Sequence, residues 1–145
     1  MDIFMTEAIK EAKKSLSEGG IPIGSVLVHK KQIIGRGHNQ RVQLKSAILH
    51  GEMSALENAG RLPASVYKES VLYTTLSPCI MCSGTILLYG IPHVRVGENR
   101  TFLGEESLLR ERGVDVEVQQ NLECISMMRT FIANNPELWN EDIGE

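Results

Sequence analysis

The sequence predicts an α/β sandwich in which a central five-stranded mixed sheet carries helices on both faces. Three observations predict it. Strand-like and helix-like patterns alternate along the chain after an opening hairpin. A length of 145 residues suits one domain and is too short for two substantial ones. With 42% hydrophobic and 23% charged residues, the chain can bury a sizeable core. No repeat, low-complexity run or Pro/Gly/Ser-rich linker divides it, so residues 1–145 read as a single domain.

Met5, Ala8, Ile9, Ala12 and Leu16 recur at the three-to-four spacing of one helix face, and Gly19-Gly20 stops that helix. Residues 25–29 and 32–35 flank the polar Lys30-Lys31 as two strands of a hairpin. A loop begins at Asn39, and residues 50–59 are helical up to Gly60. Residues 71–75 form a buried strand. Ser77, an N-cap residue type, and Pro78 at the first helical position open a helix towards Tyr89-Gly90. Strands at 93–97 and 114–118 bracket a short helix at 105–112. A last helix over 122–134 carries Ile125, Met128 and Ile132, and Pro136 begins a short tail containing Trp139 and Asp142.

Composition excludes several functions. The formal charge of −3 provides no basic face for gripping a phosphate backbone, so no nucleic-acid partner is expected. No apolar run approaches the roughly 18–20 residues of a membrane span. The opening Met1-Asp2-Ile3-Phe4 lacks the basic and apolar regions of a secretory signal. Three cysteines, odd and few, make no disulfide framework and predict a reducing, cytoplasmic setting.

Two of those cysteines lie in Ser77-Pro78-Cys79-Ile80-Met81-Cys82, downstream of Leu49-His50-Gly51-Glu52. His-x-acid alone is weak, because about half of shuffled chains of this composition contain one. Pro-Cys-x-x-Cys is expected in about one shuffled chain in a thousand, and carries weight. With Ser77 as N-cap, Cys79 and Cys82 lie three apart on one face of the first turns. The positive end of the helix dipole lowers thiolate pKa values and favours metal over proton. Two thiolates and the His50 imidazole leave a tetrahedral Zn²⁺ one position short, as catalytic sites require.

Three other readings compete for these residues. A redox Cys-x-x-Cys would call for an aromatic-rich motif after a first strand, which is absent. A structural zinc would be closed by a fourth ligand such as Cys124 or His38. The third is a plain pair of core cysteines. Cys124 reads as a buried, reduced core residue, and His29, His38 and His93 as strand-end or turn residues. Glu52 stands two residues, about 200° of helical rotation, beyond His50, so both cannot point straight at one metal. Near the helix start, its carboxylate can instead take a proton from water beside the metal and return it to a substrate nitrogen.

His-x-Glu followed by Pro-Cys-x-x-Cys is the zinc deaminase signature. The chain resembles the fungal-type cytosine deaminases of the cytidine/deoxycytidylate deaminase superfamily over essentially its whole length. The resemblance runs through Gly20-Ile21-Pro22-Ile23-Gly24, Gly35-Arg36-Gly37-His38-Asn39, Leu49-His50-Gly51-Glu52, Tyr73-Thr74-Thr75-Leu76-Ser77-Pro78-Cys79, Tyr89-Gly90-Ile91-Pro92, Val96-Gly97-Glu98-Asn99 and Glu141-Asp142-Ile143-Gly144-Glu145. It departs at Ile80, where fungal members carry an acidic residue between the cysteines, and in the hairpin at Lys30-Lys31-Gln32, which is shorter. Their longer N-terminal extension also has no counterpart here. Ile80 then either packs behind the metal or lies at the dimer surface.

The resemblance implies a homodimer of cytidine deaminase-like, three-layer αβα subunits, each holding one Zn²⁺ through His50, Cys79 and Cys82, with Glu52 as proton shuttle. It implies that Asn39 and the Gly51 N–H bind the O2/N1 edge of a pyrimidine, while Asp142 and the Ser77 carbonyl face the exocyclic amine. Phe102 would stack on the ring, Trp139 would close the pocket, and Ile23 and Leu76 would line it. Residues 136–145 would form a lid whose opening limits product release. A flat polar base needs an aromatic face and an edge partner that both donates and accepts, which Phe102 and the Asn39 amide supply. The activity implied is hydrolysis of free cytosine to uracil and ammonia in pyrimidine salvage, since an N1 substituent would meet Asn39. The alternatives are a deaminase of isocytosine, creatinine or guanine, a tRNA adenosine deaminase (disfavoured by the acidic charge), and a non-catalytic zinc-stabilised module.

Overall fold

Asp2 opens the first helix: its side chain accepts from the amides of Phe4 and Met5, and α1 (Ile3–Ser17) follows. The structure, a computed structural model, describes residues 2–145. Met5, Ala8, Ile9 and Ala12 are buried as their spacing predicts, but Leu16 is 45% exposed. The buried row ends on Ser15 instead, whose hydroxyl donates to the Asn39 carbonyl at 2.6 Å.

The hairpin comprises β1 (Gly24–His29) and β2 (Gln32–His38). Lys30 and Lys31 both have positive φ, the conformation of a two-residue turn matched to the strand twist. The second strand runs to His38, past the expected end at 35. A register shift opposite Leu27/Val28 absorbs one residue of it. Within the predicted loop, Arg41–Leu44 forms one short helical stretch, α2. Next come α3 (Gly51–Ala59), α4 (Ala64–Lys68), β3 (Ser70–Leu76), α5 (Ile80–Tyr89) and β4 (His93–Glu98). The chain closes with α6 (Glu106–Glu111), β5 (Asp115–Val118), α7 (Leu122–Asn134) and α8 (Pro136–Asp142). The sequence does not announce α4, a five-residue helix with one buried side chain, Tyr67.

The sheet order is β2-β1-β3-β4-β5, antiparallel through the first three strands and parallel from β3 to β5, so the five-stranded mixed sheet is as expected. Leu27, Leu72, Val94, Val96 and Val116 meet Ile86 of α5 and Leu109 of α6 on one face. On the other face, Met5, Ala8 and Ile9 of α1 pack with Cys124 of α7 and Tyr73. Glycine lets α3 lie close on β2: a Cβ at Gly37 would stand 2.3 Å from the Ser54 hydroxyl and 2.5 Å from the Ala55 nitrogen. A third cluster, Ile21, Ile23, Leu76, Met128, Phe131 and Trp139, closes one end of the sheet. There the carboxyl ends of β2 and β3 lie beside the start of β1, the customary place for a site in an α/β sheet.

Candidate active site

Two helix N-termini meet at that end. His50 is the N-cap of α3 and Cys79 the N-cap of α5, both with extended backbone, and each carbonyl accepts the first bond of its helix, from Ser54 and Ser83. The cap of α5 is therefore Cys79, not Ser77 as its residue type suggested. Pro78 precedes the cap, and the Ser77 hydroxyl is engaged elsewhere. This shift explains the Cys-x-x-Cys spacing. A cap side chain folds back over the third helical residue, which here is Cys82.

The His50 Nδ1 lies 3.3 Å from the Cys79 sulfur and 3.8 Å from that of Cys82, and the three ligand atoms all fall within 4.8 Å of one another. A tetrahedral zinc with arms of about 2.3 Å to sulfur and about 2.05 Å to nitrogen has N···S edges of about 3.6 Å, so these residues fit the ion. The other imidazole nitrogen, Nε2, lies 3.2 Å from the Asp142 main-chain carbonyl. A carbonyl only accepts, so Nε2 keeps its proton, and Nδ1, facing the two sulfurs, is the nitrogen that meets the metal once its own proton is displaced. The expected alternative fourth ligands lie elsewhere. Cys124 is buried against α1, where burial pushes its thiol up to about 12. His38 places both ring nitrogens on carboxylates, Glu11 at 3.0 Å and Glu18 at 2.9 Å. His29 and His93 pair with Glu69 and Asp115.

The three donors share charge before any cation arrives. The hydrogen bond with Cys82, opposed by burial and aided by His50, draws the Cys79 thiol down to about 4. Burial works to lower His50, but the bond to Cys79 and the charges of Asp142 and Glu52 outweigh it and hold the imidazole at about 9. The bond to Cys79, with burial, raises Cys82 well above its ordinary value. One thiolate is thus ready for a cation, which displaces the remaining protons on entry.

Glu52 is buried in the same cavity, and the 200° objection to its facing the site lapses for a structural reason. His50 is a cap with extended backbone rather than a helical residue, so the turn brings both side chains to one side. Burial, and then the Cys79 charge, push the Glu52 carboxyl up to about 7, within the range of a group that exchanges protons at neutral pH. Gly51 between them packs on the Ile23 main chain, where a Cβ would stand 3.1 Å from the carbonyl oxygen.

Ile23, Leu76, Ser77, Phe102, Trp139 and Asp142 line the cavity with His50, Glu52 and Cys79. Phe102 and Trp139 meet edge to face, centroids 5.7 Å apart at 83°. The loop carrying Phe102 is pinned from both sides. Buried Glu98 accepts from the amides of Arg100 and Thr101, while the Ser77 hydroxyl donates to Glu106 at 2.6 Å and accepts from the Gly104 amide at 2.9 Å. Asn39 and Gly51 stand behind this lining. The Asn39 amide nitrogen donates to the Asp142 carboxylate at 3.1 and 3.3 Å, and its oxygen accepts from the Arg41 amide. Ile80 is 62% exposed, which removes it from the packing behind the metal. Two site residues were not anticipated. Ile143 completes the cavity wall, and Arg41 grips Glu141 and Asp142, a pairing across a hundred positions that no local pattern announces.

Over residues 2–98 the chain matches the family described as "Cytidine and deoxycytidylate deaminase zinc-binding region". A cytosine deaminase of Candida albicans is 60% identical over 139 residues, spanning 95% of this chain and 93% of that protein. A tRNA-specific adenosine deaminase of Streptococcus pyogenes serotype M18 is 42% identical over 144 residues, spanning 92% and 91%. Among solved structures, one from a study of A-to-I editing by tRNA:A34 deaminases superposes with a TM-score of 0.72 at 26% identity, covering 86% of this chain and 98% of that one. NE0047 in complex with 2,6-diaminopurine shares the fold, with a TM-score of 0.74 at 19% identity, over 91% and 81% of the two chains. A His/Cys/Cys donor set at two helix starts, a buried glutamate beside it and these relatives together place the protein: it belongs to the cytidine and deoxycytidylate deaminase family of zinc enzymes.

Proposed function

We propose that the chain hydrolyses free cytosine to uracil and ammonia. The observation that carries this reading is the 60% identity to a cytosine deaminase across nearly the full length of both proteins. His50, Cys79 and Cys82 would hold zinc, which supplies a Lewis acid and acidifies water at its remaining position. Glu52 takes a proton from water and delivers it to ring N3 as the water oxygen bonds to C4, so that water adds across the N3=C4 bond. Glu52 then moves the proton of the new C4 hydroxyl to the exocyclic nitrogen, which leaves as ammonia as the C4–N bond breaks and C4=O forms. Asp142 and the Ser77 carbonyl accept from the exocyclic amine, Asn39 and the Gly51 N–H bind the O2/N1 edge, and Phe102 and Trp139 cover the ring.

The identity of 42% to a tRNA adenosine deaminase supports a second reading, action on an adenine in RNA. Two features favour the free base. The formal charge is −3, and Trp139 of α8 helps wall a cavity of about 20 Å³, far too small for a polynucleotide. Ammonia release from cytosine, isocytosine, creatinine, guanine and a tRNA anticodon stem-loop tests the assignment. Turnover of cytosine alone upholds it, and turnover of the stem-loop alone replaces it.

The chain would work as one domain, with 136–145 as lid, in a homodimer. Supporting the dimer, Leu88 and Tyr89 are exposed on α5 and line a hollow between α3, α4 and α5 with Met53, Leu56, Leu62 and Tyr67, and Ile80 is exposed at the start of the same helix. Light scattering should give twice the chain mass, and Leu88→Glu should halve it. A cytoplasmic location agrees with thiols that must stay reduced to hold metal.

A further inference from the structure

The cavity beside His50 and Glu52 has free space of about 20 Å³, room for about one water molecule and not for a six-membered ring. Part of its wall must therefore move for any ring to enter. Trp139, Asp142 and Ile143 of that wall belong to α8 and the turn after it. Among the described residues, every hydrogen bond from 136–145 to elements before α7 ends on Asn39, Arg41 or His50. The bonds from Asn39 and His50 lie inside the site. The bond from Arg41 to Glu141 lies outside it.

We propose that Arg41 is a positioning residue whose bidentate grip on Glu141 latches α8 over the cavity and sets how readily substrate enters and product leaves. Its guanidinium reaches the two Glu141 oxygens at 2.7 and 2.6 Å and touches Asp142 at 3.3 Å. The third guanidinium nitrogen, Nε, donates to the Ala47 carbonyl at 2.9 Å, which fixes the plane of the group before Glu141 arrives. The Arg41 side chain is 12% exposed and that of Glu141 62%, so the pair sits at the rim, where water can replace it when α8 lifts. Arg41 begins α2, and the Asn39 side chain caps its amide, so the latch and Asn39 move as one segment. The latch thereby makes the residues that face the base conditional on closure.

The test uses the zinc-loaded full chain and Glu141→Gln, which removes the charge at an exposed position and leaves the cavity lining intact. Without substrate, amide exchange over residues 139–143 should quicken about three- to tenfold, and emission from Trp139, the single tryptophan, should move towards that of a wetter indole. With cytosine, KM should rise by about the same factor while kcat is not lowered. Arg41→Lys, which keeps charge but loses the fork, should fall between wild type and Glu141→Gln. Unchanged exchange overturns the proposal, as does faster exchange with KM unaltered. The latch rests on the proposed reaction only for the identity of the ligand. If cytosine is not turned over, that reading fails, while the exchange and emission data still decide the latch.

Discussion

The Nε2 of His50 donates to the main-chain carbonyl of Asp142 at 3.2 Å, joining two residues 92 positions apart. One is a metal donor at the start of α3, and the other is the last residue of the helix that covers the site. The bond fixes the imidazole tautomer that leaves Nδ1 for metal, so the terminal helix helps complete the metal's surroundings. Asn39 and Arg41 donate to the side-chain carboxylate of the same residue. The site therefore depends on the last ten residues as much as on its signature motif.

Glu52→Gln tests the proton shuttle. Glutamine keeps the shape and the hydrogen-bonding capacity of the side chain but has no ionisable proton near neutrality. Metal analysis should find one zinc per chain, as in the wild type, with ammonia release lowered about 100- to 10,000-fold. Activity near that of the wild type would remove Glu52 from its role.

The donor set is separable from the third cysteine. Cys82→Ser should lose zinc, and its Tm should fall to that of chelator-treated wild type and respond no further to chelator. Cys124→Ser should keep its zinc, because the thiol lies against α1, away from the site. A buried hydroxyl there costs about 1–3 kcal/mol of stability. Zinc loss in Cys124→Ser would indicate a closed four-ligand site.

The order of strands and helices could be read from hydrophobic periodicity because each strand is bounded by turn residues and each long helix buries one stripe. The 122–134 helix has the predicted ends, with Asn121 capping the Cys124 amide. Reading failed where tertiary contacts outweigh local preference. Ser77 has the chemistry of a cap but spends its hydroxyl on Glu106 and the Gly104 amide, leaving Cys79 to start α5. Leu16 fits the apolar spacing of α1, yet the row shifts to Ser15, which bonds the Asn39 carbonyl. The cysteine donors were legible because Cys-x-x-Cys is a local pattern, and His50, 29 residues before Cys79, through the His-x-Glu half of the deaminase signature. Arg41 was not, since its partner lies a hundred residues away.

Acid should open the lid. Arg41, through its hydrogen bonds and with burial opposing, holds the Glu141 carboxyl below its ordinary value of 4.5. A carboxyl depressed in the closed state favours closure at every pH above the ordinary value, and that contribution disappears as pH falls through the depressed one. Amide exchange over 139–143, corrected for its intrinsic pH dependence, should therefore accelerate below about pH 4.5. Glu141→Gln should abolish this acceleration. An equal acid response in that variant would place the titrating group elsewhere, for instance at Glu18, which its bond to His38 also depresses.

The edge-to-face contact of Phe102 with Trp139 joins the loop after β4 to α8 in the cavity wall. Pairs of this geometry contribute about 0.5–1.5 kcal/mol beyond the area they bury. Phe102→Leu preserves most of the apolar volume and loses the ring, so KM for cytosine should rise about two- to tenfold through the closed state alone, and further if the ring also covers the base. A double-mutant cycle with Trp139→Leu separates the two contributions. If Phe102 acts only through Trp139, the second substitution leaves Phe102→Leu without further effect on KM. If Phe102 also stacks on substrate, its effect persists in the Trp139→Leu background. Full additivity would mean the two rings serve the site independently and that their contact does not hold the lid.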